Sequence, residues 1–127
     1  MKKLICICLL LIAARLSAQD VTSALLPMPN QITLGKEKPY AVRPGKTAVY
    51  WNNPDLEFTA RNLQHILWDR MQTEIPLSKS ARADIRLLID PAMEGAEHYI
   101  LEITSKGITV KGATAAAVYY GIMTLDQ

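Results

Sequence analysis

The chain has 127 residues, 50% of them hydrophobic and 20% charged, with a formal net charge of +2. This length suits a single domain with one hydrophobic core and excludes a two-domain arrangement. Its two cysteines, Cys6 and Cys8, both lie close to the N-terminus.

The first 18 residues carry the pattern of a secretory signal peptide. Lys2 and Lys3 precede an unbroken apolar run, residues 4–14, and small residues follow at Ser17 and Ala18. The run is shorter than the roughly 20 residues that cross a bilayer, which disfavours a permanent membrane anchor. We therefore expect export to the periplasm or the extracellular space, with cleavage after Ala18.

Removal of the signal peptide changes both the charge and the cysteine content of the chain. Lys2, Lys3 and Arg15 leave with it, so 11 of the 14 basic residues remain against 12 acidic ones. No Lys/Arg run is left, which excludes the electrostatic footprint of a nucleic-acid-binding protein. Both cysteines leave as well, so residues 19–127 contain neither a disulfide nor a reactive thiol.

The first part of this domain has the pattern of short strands. Leu25–Pro29 contains two prolines and is predicted to be an extended entry segment. Three β-prone stretches follow, separated by turn residues, and are predicted to be strands of one sheet: Gln31–Leu34, Tyr40–Arg43 and Thr47–Trp51.

The best-signalled helix begins near residue 54. Asn53 is a predicted N-cap, Pro54 suits the first helical position, and acidic residues follow near the positive end of the helix dipole. Apolar residues then recur at helical spacing, which predicts one buried face: Leu56, Ala60, Leu63, Leu67 and Met71. Pro76 excludes a longer helix.

The second half predicts a strand, a hairpin and a helix. The continuous apolar run within Asp84–Asp90 predicts a strand that is buried on both faces. Alternation over Tyr99–Thr104, a Ser-Lys-Gly turn and Ile108–Lys111 predict a β-hairpin. Thr114 then caps a helix whose apolar stripe is Ala117, Val118, Gly121, Ile122 and Leu125. Together these elements predict an α+β fold, an α/β sandwich with a mostly antiparallel sheet.

The last helix reaches Gln127 without a capping glycine, a proline or a basic residue in its last turn. A helix end normally supplies partners for its last four carbonyl groups. We therefore expect that the polypeptide continues past Gln127.

Titratable side chains offer no self-contained active site. His65 has no Glu-x-x-His partner, and His98 begins a strand. Asp90, Glu94 and Glu97 lie close together in sequence, but solvated loop carboxylates explain them better than an acid/base pair. Nucleophile-elbow and phosphate-loop motifs do not occur. We assign no catalytic, cofactor-binding or metal-ligating residue.

Aromatic residues leave one alternative open. Trp51, Trp68, Tyr119 and Tyr120 could stack on sugar rings, although their spread over a strand and two helices favours core or interdomain packing. A glycan therefore remains a possible ligand.

Three segments, taken in order, resemble a known domain. They are Leu26-Pro27-Met28-Pro29, the run from Tyr99 to Val110 with its Lys-Gly-Ile-Thr-Val turn and strand, and Tyr119-Tyr120-Gly121-Ile122-Met123-Thr124-Leu125-Asp126-Gln127. The chain resembles the N-terminal accessory domain of bacterial β-N-acetylhexosaminidases of glycoside hydrolase family 20. The C-terminal third carries the most specific part of the resemblance.

This resemblance implies a sheet with two helices on one face, and a following (β/α)₈ barrel against which those helices lie. In such enzymes an Asp-Glu pair on the barrel performs substrate-assisted hydrolysis. The chain contains neither that dipeptide nor a barrel, so no catalytic residue is carried over and we expect it to be inactive alone. Similar domains also precede barrels of α-glucuronidases and of glycoside hydrolase family 84.

The final helix is the predicted contact with the barrel, in cis or in trans, through residues 114–127. Tyr119, Tyr120 and Met123 lie partly off its apolar stripe, so we expect them to form an exposed apolar patch. The alternatives are a stand-alone envelope module that binds glycans or proteins, and a domain that assembles with a separately encoded barrel.

Overall fold

The computed structural model describes residues 29–127. The predicted signal peptide and most of the predicted entry segment lie outside these residues. The described part contains five strands, β1 (Val49–Trp51), β2 (Leu77–Ser78), β3 (Ile85–Ile89), β4 (Tyr99–Thr104) and β5 (Gly107–Gly112). It also contains helix α1 (Glu57–Met71), entered through a 3₁₀ turn at Pro54–Leu56, and helix α2 (Ala115–Leu125).

The five strands form one mixed sheet in the order β2-β1-β3-β5-β4. Strands β2, β1, β3 and β5 are parallel to one another, and β4 alone is antiparallel, in a hairpin with β5. The predicted α+β fold and the hairpin are confirmed, but the sheet is not mostly antiparallel. Helix α1 carries the chain back to the starting end of β1, so β2 runs in the same direction as β1, as in other crossover connections.

The lead-in to the sheet differs from its prediction. In the described residues before β1 there is no strand, so the strands predicted at Gln31–Leu34 and Tyr40–Arg43 are wrong. Side chains rather than a strand ladder hold this segment. The Tyr40 hydroxyl lies 2.6 Å from Thr47 Oγ1 and donates to Asp84 Oδ2 at 2.7 Å.

Helix α1 begins as its sequence predicts. The Asn53 side chain accepts a hydrogen bond from the Asp55 N–H at 2.9 Å, and Pro54 opens the 3₁₀ turn. Leu56, Ala60 and Leu63 are fully buried against the sheet. The predicted stripe weakens toward the C-terminal end of the helix.

Both helices cover the same face of the sheet. On β3, Ile85 and Leu87 are fully buried whereas Arg86 between them is exposed. The prediction that this strand is buried on both faces is therefore wrong. Its other face is left open because α2 packs against α1 rather than crossing to the far side of the sheet.

Helix α2 is closely fitted to the sheet. Thr114 Oγ1 accepts from the Ala117 N–H at 3.1 Å, which confirms the predicted cap. Gly121 faces β5 so closely that a Cβ at this position would overlap with Val110 Cγ1. The Tyr99 hydroxyl lies 2.6 Å from Thr124 Oγ1, so β4 is also tied to the helix.

The C-terminal end of α2 has partners that its own sequence does not supply. Arg70, in the last turn of α1, donates to Asp126 Oδ1 at 3.0 Å and to the Asp126 carbonyl oxygen at 2.7 Å. A guanidinium at this position also balances the negative end of the helix dipole. The basic residue that is missing from α2 thus comes from the neighbouring helix.

Candidate interaction face on the two helices

The outer surface of the helix pair carries a group of aromatic and apolar side chains that we call the aromatic face: Phe58, Tyr119, Tyr120 and Met123. Residue Phe58 is 73% exposed and Tyr120 is 43% exposed. Phe58 stacks on Tyr119, with centroids 6.3 Å apart and an interplanar angle of 27°. Tyr119 meets Tyr120 edge-on at 6.4 Å.

Helical spacing explains why Tyr120 points away from the core. Val118 and Ile122, four residues apart, face the sheet and are fully buried. Tyr120 falls on the opposite side of α2 and is exposed, whereas Tyr119 and Met123 are partly buried and also pack against the core. The aromatic face is therefore built on two rigid helices rather than on loops.

Phe58 belongs to this face although the sequence reasoning did not select it. It lies in the first turn of α1, off the stripe that contains Leu56 and Ala60. Helices α1 and α2 follow parallel strands and so run in the same direction, and Phe58 near the start of α1 lies beside Tyr119 of α2. Its position could have been recognised in the sequence, because a large aromatic residue outside the apolar stripe of an amphipathic helix indicates a second contact surface.

Two charged pairs lie along the exposed side of α1. Arg61 Nη2 lies 2.8 Å from Glu57 Oε1, and His65 Nδ1 lies 3.0 Å from Asp69 Oδ2. All four side chains are more than half exposed, so these i,i+4 pairs form a polar border. His65 therefore pairs with a carboxylate on the exposed side of its own helix.

The acidic residues considered as an acid/base pair lie in the loop between β3 and β4. Asp90 accepts from the Ala92 N–H at 3.1 Å and lies 3.8 Å from Lys111 Nζ. Glu94, Glu97 and His98 are exposed. Residues 29–127 contain no group of three His, Cys, Asp or Glu side chains that could hold a metal ion.

The two tryptophans are not part of the aromatic face. Trp51 is partly buried and packs against the hydrophobic core. Trp68 is 47% exposed on α1. The four candidate aromatic residues thus separate into a tyrosine pair on α2, one core-associated tryptophan and one exposed tryptophan.

The resolved pKa shifts occur where the lead-in meets β3, away from the aromatic face. The hydrogen bond from Tyr40 holds the pKa of Asp84 below its ordinary value, and Arg43, 3.1 Å away, acts in the same direction. Burial raises the pKa of Tyr40. These groups hold the segment before β1 against the start of β3.

Within residues 29–127, no helix is both long and apolar enough to cross a bilayer.

Comparison with known families identifies the domain. The model of glycosyl hydrolase family 20, domain 2, matches residues 22–127. The chain belongs to this family. The match spans nearly all of the region predicted to remain after signal-peptide removal, and it confirms the resemblance seen in the sequence. Curated protein sequences give no match.

Solved structures with the same fold include three bacterial enzymes. The family 20 β-N-acetylhexosaminidase from Streptomyces coelicolor A3(2) has a TM-score of 0.64 and 24% identity over 80% of this chain and 20% of its own. The exo-β-N-acetylglucosaminidase from Vibrio harveyi has a TM-score of 0.68 and 19% identity, over 80% of this chain and 15% of its own. The β-N-acetylhexosaminidase from Bacteroides fragilis NCTC 9343 has a TM-score of 0.59 and 16% identity, over 80% of this chain and 20% of its own. The chain thus spans a fifth or less of each of these enzymes.

Proposed function

We propose that this chain is a non-catalytic accessory domain of an exported β-N-acetylhexosaminidase that acts in glycan degradation. In this role it supports a catalytic (β/α)₈ barrel and makes no bond-breaking contribution of its own. The observation that carries the proposal is the family match over residues 22–127, together with the small share of each solved hexosaminidase that this fold occupies.

The aromatic face is the proposed contact with the barrel. Aromatic side chains are enriched in interfaces because they bury a large area at a small entropic cost, and exposed apolar groups in one patch mark interaction surfaces. Phe58 is 73% exposed in the domain alone, so covering it removes apolar surface from water. The charged pairs on α1 would form the polar rim of this interface.

A direct test of the non-catalytic role is an assay of the purified chain with an aryl N-acetyl-β-glucosaminide. We expect no turnover above background, because the side chains of residues 29–127 do not converge on an acid/base pair or a nucleophile. Turnover that co-purifies with the chain would overturn the proposal. An enzyme from the host that contaminates the preparation is excluded by a preparation from an empty vector.

The barrel contact can be tested in the polypeptide encoded by the complete reading frame. Sequencing past the codon for Gln127, or co-purification from the native host, identifies a barrel in cis or in trans. With the barrel present, Phe58→Ser with Tyr120→Ser should lower its melting temperature or release it. Ile100→Ser, on the open face of the sheet, is the matched control and should do neither.

The glycan-binding alternative makes a different prediction. A binding module should be retained on N-acetylglucosamine polymers, and the loss of retention in Trp68→Ala would point to the exposed tryptophan. Trp51→Ala is a less direct probe, because Trp51 packs against the core and its loss also affects folding. Retention of the unmodified chain without any barrel contact would favour this alternative over the accessory role.

A further inference from the structure

The face of the sheet that the helices leave open carries a polar row across four strands. Side chains alternate along a strand, so the neighbours of buried Ile85 and Leu87 point to this open face. Cross-strand pairing aligns Tyr50, Arg86, Thr109 and Glu102 in one row. This row lies beside the turn that connects β4 to β5.

A groove of about 290 Å³ lies at the end of this row. Its lining includes Arg82, Arg86, Lys106, Thr104, Thr109 and Glu102. Small-molecule sites usually enclose about 300–1,000 Å³, so the groove has room for one charged group or one sugar ring rather than for a longer ligand.

The groove has an excess of positive charge. Among the described residues, no carboxylate lies within ion-pair distance of Arg82, Arg86 or Lys106. Asp84 also borders the groove, but Arg43 and Tyr40 already hold its carboxylate. Among the lining residues this leaves Glu102 to oppose Arg82, Arg86 and Lys106, while Glu37, which accepts from the Ser105 N–H in the same turn, lies outside the lining. A domain whose net charge after signal removal is close to zero therefore concentrates positive charge at this place.

Two of the polar groups in the groove are held in position by the sheet. Arg86 Nη2 donates to Thr109 Oγ1 at 2.9 Å, which directs the guanidinium along the row and leaves its other N–H donors available. Thr104 Oγ1 accepts from the Lys106 N–H at 3.2 Å, which fixes the turn that carries the lysine. A guanidinium prepared in this way suits the paired oxygens of a carboxylate or a sulfate.

We propose that this groove binds the oxyanion of an acidic saccharide, either a uronate carboxylate or a sulfate ester. Arg86 would make the bidentate contact, Arg82 and Lys106 would add charge, and Thr109 and Glu102 would contact neighbouring hydroxyl groups. The choice of a saccharide rests on the proposed function, whereas the binding of an oxyanion rests on the groove alone. The site lies on the side of the sheet opposite the aromatic face.

The experiment is a binding titration of the purified chain by calorimetry or NMR with three oligosaccharides. Chondroitin sulfate carries both sulfate and uronate, hyaluronan carries uronate alone, and a chitin oligomer carries neither. We expect either chondroitin sulfate alone or both chondroitin sulfate and hyaluronan to bind. Binding should weaken as salt is added, because salt screens exposed charges. Binding of chondroitin sulfate alone identifies the sulfate as the ligand group, and binding of both identifies the carboxylate as sufficient.

Arg86→Gln should weaken this binding roughly tenfold, since a charge-assisted bidentate contact is lost. Arg61→Gln is the matched control, because it removes the same charge from the helical side and should leave the affinity unchanged. If Arg86→Gln does not fold, Lys106→Gln, at an exposed turn, replaces it as the variant that should weaken binding. Absence of binding, equal binding of the chitin oligomer, or equal losses in Arg86→Gln and Arg61→Gln would each overturn the proposal. None of these results bears on whether the domain supports a barrel.

Discussion

The two faces of the sheet show how one strand pattern can produce two kinds of surface. Ile85 and Leu87 point to the helices and are fully buried, whereas Arg86 between them points to the open side. Above the covered face, the helices present Phe58 and Tyr120 to solvent. The helical side therefore exposes aromatic rings, and the open side carries a polar row with an excess of cations at one end, beside the exposed Ile100.

The difference arises from what each surface must do in the folded domain. The helices bury one stripe against the sheet, and the rest of their circumference is free to carry side chains that the core does not require. Within residues 29–127 no helix covers the open face, so its polar side chains stay hydrated. An apolar group on the outer side of α2 is thus more informative about a partner than a charged group on the open face.

The largest expected effect is at the seam between α2 and the sheet. Gly121→Val places two methyl groups where Val110 and Tyr99 already lie, and overpacking of this kind costs about 1–3 kcal/mol or somewhat more. Chemical denaturation monitored by circular dichroism should show a loss at the upper end of this range. Ala116→Val, on the exposed side of the same helix, should cost about 0.5 kcal/mol from helix propensity alone. Equal losses would show that α2 does not sit on β5 as described.

The second effect concerns the segment before β1, which Tyr40 and Arg43 bind to Asp84 at the start of β3. Asp84→Ala removes the acceptor shared by Tyr40 and Arg43, and we expect the free energy of unfolding to fall by about 1–2 kcal/mol. Glu94→Ala, at an exposed loop position, should change it by less than about 0.5 kcal/mol. A loss no larger than that of Glu94→Ala would contradict the role of this network.

A smaller effect is expected where α1 supports the end of α2. Arg70→Ala removes two hydrogen bonds to Asp126, but the arginine side chain is 64% exposed, so solvent screening limits the loss to about 0.5–1 kcal/mol. Arg61→Ala removes only an exposed pair with Glu57 and should cost about 0.3–0.5 kcal/mol. Thermal unfolding of both variants measures the difference, and the reverse order would contradict interhelical capping.

The comparison of the two faces is sharpened most directly by a hydrophobic dye. The purified chain should bind such a dye, and Phe58→Ser with Tyr120→Ser should remove most of the signal. Stability should change by only about 0.5 kcal/mol per substitution, because both rings are exposed. Ile100→Ser, on the open face, should leave the signal in place. A monomeric chain that binds no dye would refute the aromatic face as an apolar patch.

The smallest expected effect is the dependence of stability on pH. The pKa of Asp84 is lowered in the folded state, so its contribution is present above the ordinary value of 3.8 and is lost as the pH falls through the folded value. The pKa of Tyr40 is raised, so its contribution is present below 10.0 and is lost as the pH rises through the folded value. Asp84→Asn should flatten the acid decline, and Tyr40→Phe the alkaline one, in melting curves recorded against pH. Unchanged profiles would show that these groups have the same pKa in the unfolded chain.

The elements predicted correctly are those whose signals are local. The Asn53 cap, the Thr114 cap and the β4–β5 hairpin each depend on residues within a few positions of one another. The strands predicted at Gln31–Leu34 and Tyr40–Arg43 were wrong because a strand needs a neighbour, and β-prone composition does not say whether one is present. Strand β2 was not predicted, because two residues are too few to show the alternation of apolar and polar side chains that marks a strand.

The candidate interaction surface was only partly predictable. The helical period of α2 indicated that Tyr120 and Met123 fall outside its core stripe. Nothing in the sequence joined them to Phe58, which is 61 residues before Tyr119 and meets it only because α1 and α2 run side by side. The basic groove depends in the same way on register, which aligns Arg86 with Thr109 and Thr109 with Glu102.

The sequence by itself determined where the helices begin, where the hairpin turns and to which family the domain is similar, because caps, turns and periodic patterns act over short distances. The tertiary structure decided that the sheet is mixed and that Arg70, from the neighbouring helix, bonds the carboxylate and the carbonyl oxygen of Asp126 at the end of α2. These features depend on contacts between residues far apart in the chain. Their free energy depends on packing that no local pattern encodes.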